Sequence, residues 1–317
     1  MTDFNWSKLL KWSSNYIDES DSSGRIEQID PEKLEFLQGA VREAMKGVVD
    51  PNKLLSEAKL KLESDKVEEE VILSALAVID RCVDLPDCSL NLDKLGLIQP
   101  LLNCLSKSEE IRNLTYQILS KSMQNNPPVQ IAFGNRGALT IITEAVHLEI
   151  SELMQSRGIS AISSLIRHNP DMEREFVIKD GLLQIEKWMR SKFIKVREKS
   201  MSLLRHFINQ GVISSRDVLE INNGRIIDAI LDLQRENCES LEEVQSIQYS
   251  EILSETLFQV VNICKYHMKN DCKKKILLQV NRRANFLSNY MKICPQDDFS
   301  PEHDMLIKCK ELLKADM

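Results

Sequence analysis

Evenly spaced turn residues limit the folds open to this chain more than any other feature of its sequence. Glycines recur at spacings of 41, 44 and 43 residues, at Gly96, Gly137, Gly181 and Gly224. The pairs Asn126-Pro127 and Asn169-Pro170 are also 43 residues apart. Separate turn signals that share one period indicate an internal repeat.

One repeat contains three predicted helices. The stretch from Ser151 to Arg167 carries apolar residues at helical spacing, and it ends before Pro170 because the residue preceding a proline avoids the α region. A short segment, 172–178, and an apolar run after Gly181 complete the unit. Helical triplets at this period are typical of armadillo arrays, in which each unit buries its apolar face against its neighbours. We therefore predict an all-α fold, an armadillo-repeat right-handed superhelix (α-solenoid) with helical caps at both ends.

The third helices of the repeats define the predicted register. Their first apolar residues are Ile111, Met154, Val196 and Ile252. The last spacing, 56 residues, is longer than the others, and we assign the excess to an acidic loop at 236–245. The predicted division of the chain is a flexible N-terminal segment (1–30), N-terminal capping helices (31–67), armadillo repeats (68–264) and C-terminal capping helices (265–317).

Composition narrows the partners and the compartment. The net charge of −7 argues against a nucleic-acid partner, although 265–283 is locally basic and is interpreted as a solvated helix face. No apolar run approaches the roughly 20 residues of a membrane span, and the start lacks the apolar core of a secretory signal. Eight cysteines without a paired framework suit a reducing compartment. We expect a monomer in the cytoplasm or nucleus, without membrane contact.

Motifs for catalysis or cofactor binding are missing from the sequence. There is no Gly-rich phosphate loop, no H-E-x-x-H, no C-x-x-C and no G-x-S-x-G. Cys264, His267 and Cys272 are the nearest approach to a metal site, but they lack a convincing fourth ligand. A metal-dependent enzyme built on these residues stays a minor alternative. We predict a binding protein that is not an enzyme and needs no cofactor or metal.

The binding surface is predicted on the third helices, which line the concave face of an armadillo array. Its residues occupy outward positions of four successive third helices. They are Gln117, Lys121, Asn125, Arg157, Ser160, Ser164, Arg167, His168, Lys199, Ser202, His206, Gln210, Phe258 and Asn262. With Arg112, Arg197 and Arg205 nearby, this face is expected to be mixed to basic. A basic groove on an acidic protein suits an acidic partner surface.

A second partner-binding segment is predicted at the N-terminus. Four apolar residues lie close together there, namely Trp6, Leu9, Leu10 and Trp12. Their spacing suits a short amphipathic turn that engages a partner groove, and a strap docked on the body of the protein or a frayed terminus is the alternative.

Several short strings resemble the Hsp-binding-protein/Fes family, the armadillo-type nucleotide exchange factors of the seventy-kilodalton heat-shock chaperone. They are AISSLIRHN (161–169), QNNP (124–127) and LLKWS (9–13), and two capping helices before four repeats fit the same family. The resemblance runs from about Trp6 to Cys264 and weakens from Lys265 onward. It implies a cochaperone whose concave face binds the chaperone's nucleotide-binding domain and promotes ADP release. It also implies that the N-terminal segment assists substrate release.

An armadillo adaptor for an unrelated protein or peptide is the alternative function. Import receptors of this fold usually carry a ladder of Trp and Asn on the third helices. Here the Trp positions are occupied by Gln117, Ser160, Ser202 and Phe258, and only Asn262 keeps the Asn. This departure counts against the adaptor.

Overall fold

The computed structural model describes residues 35, 38–40, 50–64, 68–220, 224–239, 247–294 and 298–315. The chain divides into two compact units, residues 1–53 and 54–317. Residues 35 and 38–40 of the first unit are helical, and the rest of the predicted first capping helix lies outside the described residues. All four repeats belong to the second unit.

Helices alone make up the regular structure of the described residues. Two helices precede the repeats, α1 (Pro51–Leu62) and α2 (Glu69–Cys82). The first repeat contains α3 (Pro86–Lys94), α4 (Ile98–Asn103), a 3-10 turn (Cys104–Ser106) and α5 (Glu109–Met123). The second contains α6 (Pro127–Asn135), α7 (Ala138–Leu148) and α8 (Glu152–Ile166).

The last two repeats differ in length. The third contains α9 (Pro170–Ile178), α10 (Gly181–Met189) and α11 (Ile194–Asn209). The fourth contains α12 (Ser215–Glu220), α13 (Arg225–Glu239) and α14 (Ile247–Cys264). Two helices follow, α15 (Asn270–Ile293) and α16 (Ser300–Lys314). None of the helices in these ranges is long and apolar enough to cross a membrane.

The third helices form a continuous row at the centre of the second unit. In this row α2 packs on α5, α5 on α8, α8 on α11, α11 on α14, and α14 on α16. Their buried residues follow one pattern. Counting from Ile111, Met154 and Val196, the residues four, five, seven, eight, eleven and twelve positions later are buried in each helix. The predicted register is therefore confirmed for the first three repeats.

The fourth third helix has a different register from the one predicted. In α14 the same buried pattern starts at Tyr249, which is fully buried, whereas Ile252 is only half-buried. Residues 236–239, predicted as the start of an acidic loop, belong to α13. The extra residues of the fourth repeat thus lengthen its second helix, α13, as well as the connection between α13 and α14. As a result, the buried pattern of α14 starts three residues earlier than predicted.

The turns that connect first and second helices explain most of the glycine period. Gly96, Gly137 and Gly224 have φ values of 69°, 73° and 80°, a conformation that favours glycine. In the third repeat this conformation belongs to Asp180, at φ 59°, and not to Gly181. A Cβ atom at position 181 would lie 2.2 Å from the Phe176 ring, so this glycine is required for close packing.

Two helices cover the C-terminal end of the row. α16 packs on α14 and α15, and α15 also packs on α13. The guanidinium of Arg283 on α15 donates from Nε to Glu302 Oε1 and from a terminal nitrogen to Oε2, both at 2.9 Å. Both side chains are buried, and Ser254 on α14 donates to the same carboxylate at 3.1 Å. This ion pair joins three helices.

Seven cysteines of the described residues are free thiols, namely Cys82, Cys88, Cys104, Cys264, Cys272, Cys294 and Cys309. Burial raises the pKa of Cys104 to about 11 and that of Cys264 to about 12. These thiols are therefore protonated at neutral pH and act as small apolar core residues.

Candidate partner-binding groove

Two adjoining cavities open on the row of third helices, between α5, α8 and α11. The larger has a volume of about 320 Å³ and the smaller about 200 Å³, and both are lined by Gln124, Ser163, Ser164 and Arg167. We call these two cavities the third-helix groove. Seven predicted residues line it, namely Asn125, Ser160, Ser164, Arg167, His168, Lys199 and Ser202.

Sequence reasoning missed three polar residues of the groove, namely Ser120, Gln124 and Ser163. Ser120 and Ser163 lie nine residues after the anchors Ile111 and Met154, a position that the predicted stripe skipped. The absence of apolar residues at this helical position in both repeats was the available signal.

The ends of α5 and α8 bring the groove residues into place. Asn125 and His168 follow these helices with positive φ values of 53° and 61°, and each precedes an Asn-Pro pair that starts the next helix. Asn169 caps α9 by accepting from the Met172 backbone nitrogen at 3.3 Å. Beneath the groove, the Gln130 amide donates to the Ser164 carbonyl at 2.7 Å and to the Arg167 carbonyl at 3.0 Å. The sharp turns thus fix the C-terminal end of α8.

Arg167 crosses from α8 to α11 at the centre of the groove. One terminal nitrogen donates to the carbonyl and the hydroxyl of Ser202, at 3.1 and 3.0 Å. Its Nε is buried and has no hydrogen-bond partner. Burial lowers the pKa of this guanidinium below its usual range. The side chain is anchored at one end and keeps an unused donor.

Lys199 on α11 adds a second positive charge to the same wall. Within the part of the chain that the structure describes, no carboxylate lies within 4.0 Å of its ammonium. Desolvation lowers the pKa of Lys199, and repulsion from Arg167 lowers it further. Glu198 raises this pKa in part, but none of the described residues that line the two cavities carries a carboxylate.

Most of the other predicted cations are already neutralised by neighbouring helices. Lys121 contacts Asp80 at 2.9 Å and Asp84 at 3.3 Å, and Arg112 contacts the buried Glu149 at 2.7 Å. Arg197 pairs with Glu236 at 2.9 Å, and Arg205 pairs with Glu255. These ion pairs connect successive elements of the array, so the expected basic face is reduced to a basic centre.

Arg157 and Gln117 form a polar bridge between α5 and α8. Arg157 hydrogen-bonds to Asn113. With its amide turned so that the oxygen faces Arg157, Gln117 accepts from both terminal nitrogens, at 2.8 and 2.6 Å. Both side chains are half-buried, and neither lines the two cavities.

His206 does not face outward as the sequence pattern suggested. Its side chain is 8% exposed, and its Nε2 lies 2.6 Å from Oε1 of the buried Glu173. The His168 backbone nitrogen donates to the same oxygen at 3.1 Å. Burial lowers the pKa of His206, and this effect outweighs the hydrogen bond to Glu173. The residue supports the floor of the groove.

The remaining predicted residues lie outside the two cavities. Gln210 and Asn262 are exposed, whereas Phe258 is partly buried and packs against the core. In the corrected register of α14, Glu255 replaces Phe258 in the row of Gln117, Ser160 and Ser202. Trp6, Leu9, Leu10 and Trp12 lie outside the described residues.

A larger cavity, of about 900 Å³, lies between α12, α13 and α15. Its wall carries both charge signs, with Arg216 and Lys269 beside Glu220 and Asp228. Cys272 and His267 also line it, but the described residues contain no group of three or more His, Cys, Asp or Glu side chains placed to hold a metal ion. Because its walls carry both charge signs, this cavity does not favour a ligand of either sign, in contrast to the third-helix groove.

The sequence is similar to a small set of known proteins. A family model described as the SIL1/FES1/HPBP1 C-terminal domain matches residues 89–283. The Hsp70 nucleotide exchange factor FES1 of Eremothecium gossypii is 23% identical over 231 residues, which cover 71% of this chain and 78% of that protein. The nucleotide exchange factor SIL1 of Xenopus laevis is 25% identical over 184 residues, 52% of this chain and 40% of that protein. The match extends past Cys264 into α15, further than expected.

Similar solved structures support the fold. A designed armadillo repeat protein superposes with a TM-score of 0.58 at 12% identity, covering 82% of this chain and 99% of that one. An engineered protein gives a TM-score of 0.60 at 11% identity, with 82% and 98% coverage. Identities this low carry information about architecture alone, and the predicted all-α armadillo solenoid is confirmed.

Proposed function

Because the chain belongs to the SIL1/FES1/HPBP1 family, we propose that it is a cochaperone, a nucleotide exchange factor for a seventy-kilodalton heat-shock chaperone. The observation that carries the proposal is the family match over residues 89–283, which spans most of the repeat array. Relatives named Hsp70 nucleotide exchange factors support the same role. The chain spans 40% of the Xenopus relative and 56% of the FES1 of Mycosarcoma maydis, so the proposal concerns the shared helical region.

In this proposal the third-helix groove binds the chaperone's nucleotide-binding domain. Arg167 and Lys199 support this assignment, because they are the groove cations without a carboxylate partner among the described residues. Unpaired charges at the centre of an interface favour a partner of opposite sign and raise the association rate. The protein then acts as a monomer in the cytoplasm or nucleus, and residues 6–12 engage the chaperone separately to assist substrate release.

The exchange activity needs binding energy and no chemistry. Suppose that a protein binds the nucleotide-free chaperone more tightly than the ADP-bound chaperone. ADP then lowers the affinity of the chaperone for this protein, and the protein lowers the affinity of the chaperone for ADP by the same factor. Accelerating ADP release about a hundredfold requires the barrier to fall by about 2.7 kcal/mol. A few charged contacts supply an energy of this size.

The alternative, an adaptor for unrelated peptides, loses support from the corrected register of α14. Glu255 and Gln259 now occupy the positions that Phe258 and Asn262 held in the predicted ladder. The row therefore contains neither Trp nor Asn at the positions where import receptors carry them.

Thermodynamic linkage provides the test of the proposed function. The affinity of the full chain for the purified chaperone is measured by calorimetry, first without nucleotide and then with saturating ADP. We expect at least tenfold tighter binding without nucleotide, since the effector and ADP must exclude each other to the same degree. Equal affinities in the two conditions would identify a binding protein without exchange activity and contradict the proposal.

A further inference from the structure

The larger cavity of the third-helix groove has an unusual lining. Five serines line it, and four of them, Ser160, Ser163, Ser164 and Ser202, lie on α8 and α11 with Arg167 and Lys199. We call this set the serine pocket. Its other lining residues are Ser120, Gln124 and Ile159, so none of the described residues that line it carries a carboxylate. The pocket thus offers positive charge and hydroxyl donors but no negative charge.

Several donors of the serine pocket are unused. Arg167 Nε is buried without a hydrogen-bond partner. Among the described residues, the Lys199 ammonium has no ion pair, and the hydroxyls of Ser163 and Ser164 have no hydrogen bond. Lys199 is exposed and the two serines are half-buried, so the cost of a buried donor without a partner, about 1–3 kcal/mol and more when the donor is charged, falls on Arg167 Nε.

The spacing of the helices holds these donors in fixed positions. Arg167 is tied to Ser202, and the carbonyls of Ser164 and Arg167 are tied to Gln130. Lys199 lies one helical turn before Ser202 on α11, and therefore faces the same cavity. The Arg167 side chain is thus arranged before any ligand arrives, which reduces the entropy lost on binding.

We propose that the serine pocket binds a single carboxylate, presented by an acidic side chain on the chaperone surface that docks in the third-helix groove. The proposal rests on the proposed function for the identity of the partner. Paired cations and hydroxyl donors match the charge and geometry of an oxyanion. A volume of about 320 Å³ is large enough to admit an acidic side chain. The chain carries a net charge of −7, so the protein as a whole does not attract an acidic partner. The attraction comes from the positive charges of the serine pocket.

The first test examines the pocket without the chaperone. Inorganic phosphate is titrated into the full chain, with sodium chloride at equal ionic strength as reference, and binding is followed by NMR chemical shifts. Wild type is compared with Lys199→Gln and with Lys195→Gln, which removes an exposed lysine of α11 that does not line the pocket. We expect Lys199→Gln to weaken phosphate binding at least tenfold and Lys195→Gln to change it less than twofold. Equal binding by all three proteins, or no binding specific to phosphate, would overturn the proposal.

The second test identifies the source of the anion. The affinity for the nucleotide-free chaperone is measured for the same three proteins and for Lys199→Arg, which keeps the charge. We expect Lys199→Gln to lose at least tenfold, Lys199→Arg to recover most of the affinity, and phosphate to compete with the chaperone. If phosphate binds through Lys199 but the chaperone affinity is unchanged, the pocket takes a free anion and the partner carboxylate is ruled out. If wild type does not bind the chaperone, the proposed function fails, while the phosphate titration still decides whether the pocket holds an oxyanion.

Discussion

His206 lies beneath the groove, where it joins α11 to α9 through its contact with Glu173. Its ring also makes an edge contact with His168, at 5.2 Å between centroids. The ionisable groups around it are Glu173, Arg167 and His168, and burial has the largest effect on the pKa of His206. The imidazole is therefore neutral in the folded protein at neutral pH and donates from Nε2 to the carboxylate.

The stability of the protein is expected to depend on this buried histidine. Because the folded protein holds the pKa of His206 below its ordinary value of 6.5, the unfolded chain takes up a proton more readily as the pH falls through this range. The His206 contribution is complete above about pH 6.5 and decreases below it. We expect wild type to lose more unfolding free energy than His206→Gln between pH 7.5 and 5.5, measured by urea denaturation. His147→Gln, at an exposed position of α7, is the control, and identical losses in wild type and His206→Gln would contradict the assignment.

The position and the contacts of individual side chains could be predicted only in part from the sequence. The polar stripe placed Arg167, Ser164 and Lys199 on one face, where they line the third-helix groove, because helical spacing fixes direction. The burial of His206 depends on Glu173, which lies 33 residues earlier on another helix, and periodicity within α11 cannot detect it. The pairing of Lys121 with Asp80 was hidden for the same reason, since the partners lie 41 residues apart.

At the level of helices, local signals determined most of the architecture. Asn-Pro starts and left-handed turns repeat every 43 residues or so, and they predicted the limits of α8 and α9 closely. The predicted register of α14 was wrong because Ile252 is apolar, as the first buried residue of each other third helix is. The buried pattern in fact starts at Tyr249, after the expanded connection. Gly181 was similarly misassigned, since its period suggested a turn while Phe176 imposes a packing requirement.

The ion pair between α15 and α16 is expected to hold the C-terminal cap in place. Removal of Glu302 alone leaves the Arg283 guanidinium buried and uncompensated, which costs about 3–5 kcal/mol. We expect Glu302→Leu to be destabilised by this amount in urea unfolding. The double variant Arg283→Met with Glu302→Leu should recover most of the loss, because two apolar side chains of similar volume remove the buried charge.

A matched control is available on the surface of α12. Arg216 and Glu220 form an exposed ion pair at 2.9 Å, and Glu220→Leu is expected to leave stability unchanged because solvent screens this pair. Equal destabilisation in the single and double cap variants would show that the loss does not come from an uncompensated charge on Arg283, and would contradict this account.

For the whole molecule, the repeat explains how one recurring buried pattern supports a defined groove. Each third helix buries the same seven positions against its neighbours, and its outward positions differ from repeat to repeat. Ion pairs with neighbouring helices neutralise most of the cations on this face. Arg167 and Lys199 at its centre have no such pair among the described residues. The sequence predicted the array, but the distribution of charge within the groove required the three-dimensional structure.

The rate of ADP release tests the central claim most directly. Fluorescent ADP is bound to the purified chaperone, and its dissociation is followed by stopped flow after addition of wild type, Lys199→Glu or Lys195→Glu. We predict that wild type and Lys195→Glu accelerate release, and that Lys199→Glu reduces the acceleration at least tenfold because it reverses the charge at the centre of the groove. Release that wild type does not accelerate, or that Lys199→Glu accelerates as well as wild type, would contradict this account.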